Sequence, residues 1–262
     1  MKIGIIGGTG VYALEHIENP VEIKIDTPFG TITPRVGVYN EMEVAFLPRH
    51  GTAHSIPPHK VNYRANIYGL TKWGAQYVFS TAACGSLKKD FGPGHLVVLS
   101  DFLDFTKGRI STFYEGGGDG VVHIDVSEPY CPVLRKIVYH SGMELKLPIH
   151  SSGIYACFEG PRFETPAEIR ACQVLGAELV GMTNVPEVVL AREAGLHYTT
   201  IAISTNYAAG ISSTPLSHEE VLEVMKTAGD AVTNLIFTSI KKVKTVKEIC
   251  SCEEHKRRLP GL

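Results

Sequence analysis

Short apolar runs alternate with amphipathic helix patterns along most of this 262-residue chain. Residues 2–6 and 43–47 have the composition of buried strands, whereas Tyr63, Ile67 and Leu70 follow the period of a helix. Strands that alternate with helices predict an α/β fold, with a mixed, largely parallel, twisted central sheet flanked by helices.

No internal repeat or long linker interrupts this alternation. We therefore predict one domain over residues 1–242 and a polar C-terminal tail over residues 243–262. Capping boxes at Thr165 and Ser217 mark two helix starts. A glycine-rich loop over residues 106–122 is longer than an ordinary connection, which is typical of a functional loop.

The charge balance and hydropathy exclude several classes of protein. The net charge of -2 argues against a nucleic-acid binder, which needs surplus Lys and Arg to neutralise phosphates. The apolar stretches are far shorter than the roughly 18 residues of a membrane helix. Glycines at 7, 8 and 10 break the opening apolar run, so we interpret it as a strand and loop and not a signal peptide. We expect a cytoplasmic protein without membrane partners.

The six cysteines are too few for a disulfide scaffold in a chain of this length. Four are scattered and are interpreted as small buried hydrophobes: Cys84, Cys131, Cys157 and Cys172. Cys250 and Cys252 are either two exposed thiols in the tail or a redox-active or structural disulfide. The histidines show no paired ligand spacing near them, so we predict no metal.

In open α/β sheets, ligands bind at the carboxyl ends of the strands. Glycine-rich, small or polar residues follow six predicted strands, at positions 7–10, 49–50, 81–85, 158–164, 182–183 and 205–206. This coincidence predicts a ligand cleft at one edge of the sheet.

The segment Gly8-x-Gly10-x-x-Ala13 admits three interpretations. With Asp26 it matches a loose dinucleotide fingerprint, but residues 14–19 are too few for the crossover helix of that motif. The glycines instead favour backbone N–H groups that approach a small anion, with the Thr9 hydroxyl as a further donor. A tight turn without ligand contacts is the third interpretation.

Three other places in the sequence each allow two interpretations, one functional and one purely structural. Arg49 offers a planar fork of donors for phosphate or carboxylate, or is a surface Arg beside a structural His50. Phe163 and Glu164 suit a flat heterocycle, by stacking and by accepting ring N–H bonds, or are a core residue and a helix-start charge. Asn206 can read a ring nitrogen beside a carbonyl, or simply occupies a turn.

Taken together, these segments resemble the trimeric nucleoside phosphorylases, which include purine nucleoside and methylthioadenosine phosphorylases. The resemblance covers roughly residues 2–240. It rests on Gly-Gly-Thr-Gly from Gly7, Pro-Arg-His-Gly from Pro48, Ala-Cys-Gly-Ser from Ala83, Glu-Gly-Pro-Arg-Phe from Glu159 and Gly-Met-Thr-Asn-Val-Pro-Glu from Gly181.

This resemblance implies a phosphate pocket and an oligomer. The phosphate residues would be Thr9, Arg49, His50, the Ala83 backbone and Thr183. The resemblance also implies a homotrimer, or a pair of trimers.

The nucleoside would lie against a second group of residues. Phe163 and Met182 would frame the base and sugar, with Met182 near the ribose hydroxyls. His123 would reach into the neighbouring subunit's site, which accounts for the long glycine-rich loop.

Three departures from the methylthioadenosine branch predict a 6-oxopurine substrate. Asn206-Tyr207-Ala208 stands where that branch carries Asp-Tyr-Asp, and Glu164 follows Phe163 where it usually carries a small hydroxyl residue. His218 resembles the histidine that bonds the sugar 5′-hydroxyl in the 6-oxopurine branch. A surface His at a helix start is the other interpretation of His218.

We therefore predict phosphorolysis of inosine and guanosine to free base and ribose 1-phosphate, with catalysis by Asn206, Glu164 and His50. Phosphate is a co-substrate, and no metal or organic cofactor is expected. S-methyl-5′-thioinosine or methylthioadenosine is the alternative substrate, since Val221 offers an apolar wall and His54 suits either 5′ group. A purine-binding protein without activity is the non-enzyme alternative.

Overall fold

The computed structural model describes residues 1–11, 13–51, 55–211, 218–245, 248, 250–255 and 259–262. Within these residues the chain forms thirteen strands: β1 Lys2–Gly7, β2 Glu18–Glu22, β3 Ile25–Thr27, β4 Gly30–Ile32, β5 Arg35–Tyr39, β6 Met42–Pro48, β7 Tyr77–Ser86, β8 Leu96–Val98, β9 Asp101–Phe105, β10 Ile149–His150, β11 Ile154–Phe158, β12 Leu179–Gly181 and β13 His197–Tyr207.

The same residues form five α-helices: α1 Tyr63–Trp73, α2 Pro132–Glu144, α3 Pro166–Val174, α4 Asn184–Glu193 and α5 His218–Val243. Short 3-10 helices lie at Ala13–His16, Pro58–Lys60, Gly117–Asp119 and Ser251–His255. Among the described helices, none combines the length and the apolar character needed to cross a membrane.

Eleven strands form one mixed sheet, whose main path runs β10-β8-β13-β7-β1-β6-β5-β2. The central strands β13, β7, β1 and β6 are parallel, and β9, β11 and β12 extend the sheet beside β7. Strands β3 and β4 form a separate hairpin. The predicted α/β class and mixed, largely parallel sheet are confirmed.

The two faces of the sheet carry separate apolar cores. Ile67 and Leu70 of α1 pack with Val188 and Leu190 of α4 in one buried cluster. On the other face, α2 and α5 form a second cluster that includes Leu134, Val138, Leu235 and Ile236. Burial on both faces explains why the central strands are continuous apolar runs instead of alternating ones.

Two helix boundaries that the sequence predicts are confirmed at their capping residues: a stop at Gly74, after the helical pattern of Tyr63, Ile67 and Leu70, and a start at Thr165. Gly74 ends α1 in the left-handed region at a φ of 98°, which glycine adopts without the steric cost of a side chain. Thr165 and Glu168 form the reciprocal capping box that begins α3. Ser217 lies outside the described residues, and α5 begins at His218.

The structure corrects one prediction from the sequence. Val21, Ile23 and Ile25 alternate with Glu22, Lys24 and Asp26, which predicts a single half-exposed strand. The chain instead forms two strands with different partners, since β2 pairs with β5 in the large sheet and β3 pairs with β4 in the separate hairpin. The expectation that residues 14–19 are too few for the crossover helix of a dinucleotide-binding unit is confirmed, because beyond β1 the described chain enters the short 3-10 helix Ala13–His16 and then β2.

The structure also excludes one of the two interpretations of Cys250 and Cys252, namely that both thiols are exposed. Cys252 is 1% exposed and Cys250 is half-buried, so the expectation of two exposed thiols is wrong. Leu259 is also buried, and the Tyr68 hydroxyl donates to the Pro260 carbonyl at 2.8 Å. Cys84, Cys131, Cys157 and Cys172 are buried as predicted.

Candidate active site

A cavity of about 500 Å³ opens at the carboxyl ends of β1, β6, β7, β12 and β13. Ten of the residues predicted from the sequence line it: Thr9, Arg49, His50, Ala83, Phe163, Glu164, Met182, Thr183, Asn206 and Val221. The seven segments that carry them are far apart in the chain, and the parallel strands bring most of them to one edge of the sheet.

Three predicted residues are not placed in this cavity. His123 is exposed on the loop after Gly117–Asp119 and does not line it. His218 is the first residue of α5, but its side chain is not among those described. His54 lies outside the described residues.

Gly8 allows the chain to pass close to the neighbouring strand β7. Its backbone N–H donates to the Thr81 hydroxyl at 2.9 Å. A Cβ at position 8 would stand 2.8 Å from the Thr81 carbonyl oxygen. This close approach requires glycine and positions Thr9 at the cavity wall.

The Arg49 guanidinium lies beneath the cavity in a buried hydrogen-bond network. Its Nε donates to Glu187 Oε2 at 2.6 Å, and its Nη2 donates to Glu187 Oε1 at 2.7 Å. Nη1 donates to the Thr81 carbonyl at 2.8 Å. Burial alone lowers the pKa of Arg49, but the charge and hydrogen bonds of Glu187 outweigh it and raise that pKa above its ordinary value.

Sequence reasoning assigned no role to Glu187. Its carboxylate also accepts from the hydroxyls of Ser80 and Tyr198, each at 2.7 Å, and is fully buried. Glu187 therefore fixes the orientation of the Arg49 guanidinium plane. One indication of such a role in the sequence is that Glu187 ends the Gly-Met-Thr-Asn-Val-Pro-Glu segment, on which the resemblance to the phosphorylases partly rests.

His50 and Thr183 complete the polar end of the cavity. His50 Nδ1 lies 2.8 Å from the Ile56 carbonyl oxygen, and since a carbonyl only accepts, Nδ1 carries the proton in this contact. Thr183 is 8% exposed, and its backbone N–H donates to the Tyr155 hydroxyl at 3.2 Å. With Arg49 and Thr9, these residues offer donors suited to a small oxyanion.

The opposite end of the cavity holds a buried carboxylate. Glu164 is 7% exposed, and its Oε1 has no hydrogen-bond partner among the residues that the structure describes. Burial raises the pKa of Glu164 to about 7. Phe163 lines the same cavity with 42% of its surface exposed, so an aromatic face stands beside the carboxylate.

Asn206 reaches the cavity through an irregularity in β13. The register of β13 against β7 shifts between Ser204 and Asn206, and such a bulge re-aims the side chain that follows it. Asn206 Oδ1 accepts from the Thr205 hydroxyl at 2.8 Å, and Nδ2 donates to the Tyr207 carbonyl at 3.0 Å. Each polar atom retains capacity for one more hydrogen bond.

A second residue that the sequence predictions missed is Arg109, in the glycine-rich loop. Its Nη1 donates to the Val185 carbonyl at 2.6 Å, and its Nη2 donates to the Glu159 carbonyl at 2.7 Å. These bonds join the segment before Phe163 to the segment after Thr183. Arg109 therefore holds two walls of the cavity together. In the sequence, the unusual length of its loop is the feature that indicates a function for this region.

Fold and cavity together define an α/β domain built like the nucleoside phosphorylases. A family model described as "Phosphorylase superfamily" matches residues 2–241, so the chain belongs to this superfamily.

Individual relatives match over nearly their whole length. A probable 6-oxopurine nucleoside phosphorylase of Moorella thermoacetica is 53% identical over 96% of each chain. An S-methyl-5′-thioadenosine phosphorylase of Pyrococcus furiosus is 44% identical over 97% of this chain and 96% of its own. The solved structure of methylthioadenosine phosphorylase from Schistosoma mansoni in complex with adenine has a TM-score of 0.92 and 33% identity, and the match covers 97% of this chain and 96% of that one.

Proposed function

We propose that this protein is a purine nucleoside phosphorylase that cleaves 6-oxopurine nucleosides with inorganic phosphate. The products are the free base and ribose 1-phosphate, with inosine and guanosine as substrates. The observation that carries this proposal is the buried Oε1 of Glu164, which has no hydrogen-bond partner among the described residues and belongs to the same cavity lining as Asn206 and Phe163.

The chemistry of the base edge favours a 6-oxopurine over adenine. A 6-oxopurine presents an N1–H donor beside its carbonyl, and an ionised Glu164 is the matching acceptor. Adenine presents a bare N1 there, so two acceptors would face each other and the buried carboxylate would stay unpaired. Asn206 can donate to the purine carbonyl or ring nitrogen while Phe163 stacks on the ring. A site built this way disfavours the mismatched base by several kcal/mol.

The phosphate would occupy the polar end of the cavity. Arg49, His50, Thr9, Thr183 and the Ala83 backbone supply its donors. One phosphate oxygen attacks the anomeric carbon as the bond from that carbon to the purine nitrogen breaks. Holding both reactants in one cavity makes this step effectively unimolecular, and the phosphate charge stabilises the cationic sugar.

The departing purine carries the electron pair of the broken bond. Asn206 stabilises the resulting charge by donating to the ring, and Glu164 holds the N1–H edge in place. This chemistry needs no metal or organic cofactor, since phosphate itself is the nucleophile.

The relatives agree with a 6-oxopurine substrate. The probable 6-oxopurine nucleoside phosphorylase of Moorella thermoacetica is 53% identical to this chain, whereas the S-methyl-5′-thioadenosine phosphorylase of Pyrococcus furiosus is 44% identical. The residues at the base edge point the same way. Glu164 and Asn206 are the two that favour the 6-oxopurine.

The 5′ side of the sugar is the second part of the proposal. We assign the 5′-hydroxyl to His218, with Val221 as the adjacent apolar wall and Met182 against the ribose. His123, exposed on its loop beside the 72%-exposed Val121, would complete the site of a neighbouring subunit in a homotrimer. We place the enzyme in the cytoplasm, acting on small molecules without nucleic-acid or membrane partners.

A substrate panel with and without phosphate tests the whole proposal. We expect phosphate-dependent release of hypoxanthine from inosine to exceed release of adenine from adenosine by about 100-fold or more in kcat/KM. Comparable turnover of adenosine or methylthioadenosine would overturn the base assignment. Turnover of methylthioinosine well above inosine would overturn the 5′ assignment, and inosine binding without phosphate-dependent turnover would indicate a purine-binding protein.

A further inference from the structure

Three cysteines and one histidine converge at the amino-terminal end of β13, away from the cavity. They are Cys131, His197, Cys250 and Cys252, and one ligand atom from each lies within 4.8 Å of all the others. Cys131 Sγ is 3.6 Å from Cys250 Sγ and 3.5 Å from His197 Nδ1. Cys250 Sγ is 3.2 Å from the same Nδ1.

These separations are close to those of ligands around one tetrahedral metal ion. Zinc binds cysteine sulfur at about 2.3 Å and histidine nitrogen at about 2.0 Å, which places neighbouring ligand atoms about 3.5–3.8 Å apart. All six cysteines of the chain are unpaired, so no disulfide consumes these thiols. Three thiols and one imidazole form a closed set typical of structural zinc.

The surroundings of the cluster also resemble a metal site. The other ring nitrogen of His197, Nε2, lies 3.4 Å from Glu253 Oε1, and a carboxylate in this position commonly orients a metal-bound imidazole. The ring stacks on Tyr77 at 4.7 Å between centroids. The Leu134 backbone N–H points to Cys131 Sγ at 3.5 Å, a contact that favours a thiolate.

We propose that Cys131, His197, Cys250 and Cys252 form a structural site for one zinc ion. The ion would fasten the C-terminal segment to the start of α2 and to β13, across 119 residues between Cys131 and Cys250. His197 and Asn206 lie at opposite ends of β13, about 30 Å apart at 3.3 Å per strand residue. The site therefore serves stability and leaves the catalytic groups untouched.

Metal analysis of the full chain tests this directly. Protein purified under reducing conditions without chelators should contain about one zinc per chain. After zinc removal, titration with Co²⁺ should produce the visible bands of a tetrahedral thiolate site and saturate at about one equivalent. Zinc removal should lower the apparent Tm by roughly 5–15 °C while phosphorolysis at moderate temperature stays unchanged.

Matched substitutions separate the site from cysteine loss in general. Cys252→Ser and His197→Asn should each lose stoichiometric zinc, whereas Cys172→Ala, a buried cysteine outside the cluster, should retain it. A wild-type chain with neither zinc nor a thiolate-to-cobalt band would overturn the proposal. A disulfide among the three cysteines in rapidly alkylated cell extracts would also overturn it. Because the readout is metal content, the result is independent of which nucleoside the enzyme cleaves.

Discussion

Arg49 and Glu187 form a bidentate ion pair with no exposed side-chain surface, and their closest contact joins Nε and Oε2 at 2.6 Å. The pair lies directly below the cavity wall that Arg49 contributes. An arginine that is held by a bidentate ion pair presents its remaining N–H donors in one orientation. Glu187 is therefore a positioning residue for Arg49 at the polar end of the cavity.

Glu187→Gln should destabilise the protein by about 3–5 kcal/mol, because it leaves a buried guanidinium without its counter-charge. Chemical denaturation measures this loss. Glu193→Gln is the matched control, since Glu193 is also buried but carries no arginine partner among the described residues and accepts from the Thr112 hydroxyl and the Phe113 N–H. We expect about 1 kcal/mol there. Equal losses in the two variants would contradict the role of the ion pair.

The buried Glu164 predicts a stability that depends on pH. Its pKa is raised from 4.5 to about 7 by burial, so the folded protein binds the extra proton between these values. The stability that this proton brings is complete below about pH 4.5 and is lost as pH rises through about 7. Glu164→Gln should therefore stabilise the ligand-free protein by up to about 3 kcal/mol at pH 8 and by little at pH 5. Denaturant unfolding at both pH values measures this, and equal effects would contradict it.

The same substitution should remove base recognition. In the proposed base site, the N1–H of inosine donates to the ionised carboxylate of Glu164. The KM of the wild-type enzyme for inosine should therefore fall as pH rises from about 6 to about 8. In Glu164→Gln this dependence should disappear, together with a loss of about 100-fold in kcat/KM. If the KM of the variant for inosine changes with pH as steeply as that of the wild type, Glu164 does not bind the base.

Asn206→Asp should shift the substrate preference towards amino purines. An aspartate accepts from the adenine amino group, whereas an amide at this position can donate to the carbonyl of a 6-oxopurine. We expect the ratio of kcat/KM for adenosine over inosine to rise by about tenfold or more. Asn206→Ala is the control, because it lowers turnover without supplying a new acceptor. An unchanged ratio in the aspartate variant would remove Asn206 from the base site.

The proposed homotrimer, in which His123 completes the site of a neighbouring subunit, predicts complementation between inactive variants. His123→Ala and Glu164→Gln should each be nearly inactive alone, since in this proposal each lacks one part of a shared site. In randomly mixed trimers about a quarter of the sites would join an intact Glu164 to an intact His123 of the neighbour. We expect mixed refolding to restore about that fraction of wild-type activity. No recovery in trimers of verified mixed composition would contradict a shared site.

Much of the architecture follows from local patterns in the chain. The alternation of buried strands and helices predicts the α/β class, and Gly74 and the Thr165 capping box mark helix boundaries. The residues that follow the strands predict the cavity wall, because parallel topology gathers strand ends at one edge. Local stereochemistry and hydrophobic periodicity contain this information, since each depends on residues close in the chain.

Other features depend on contacts between residues that are distant in sequence. The partnership of Arg49 with Glu187 spans 138 residues, and no spacing rule connects these two positions. The meeting of His197 with Cys250 and Cys252 is likewise decided by packing of the C-terminal segment against β13. The sequence by itself determined the fold class and the chemical character of the cavity. Only the tertiary structure decided which buried charges and thiols face each other, because burial and long-range packing set their partners.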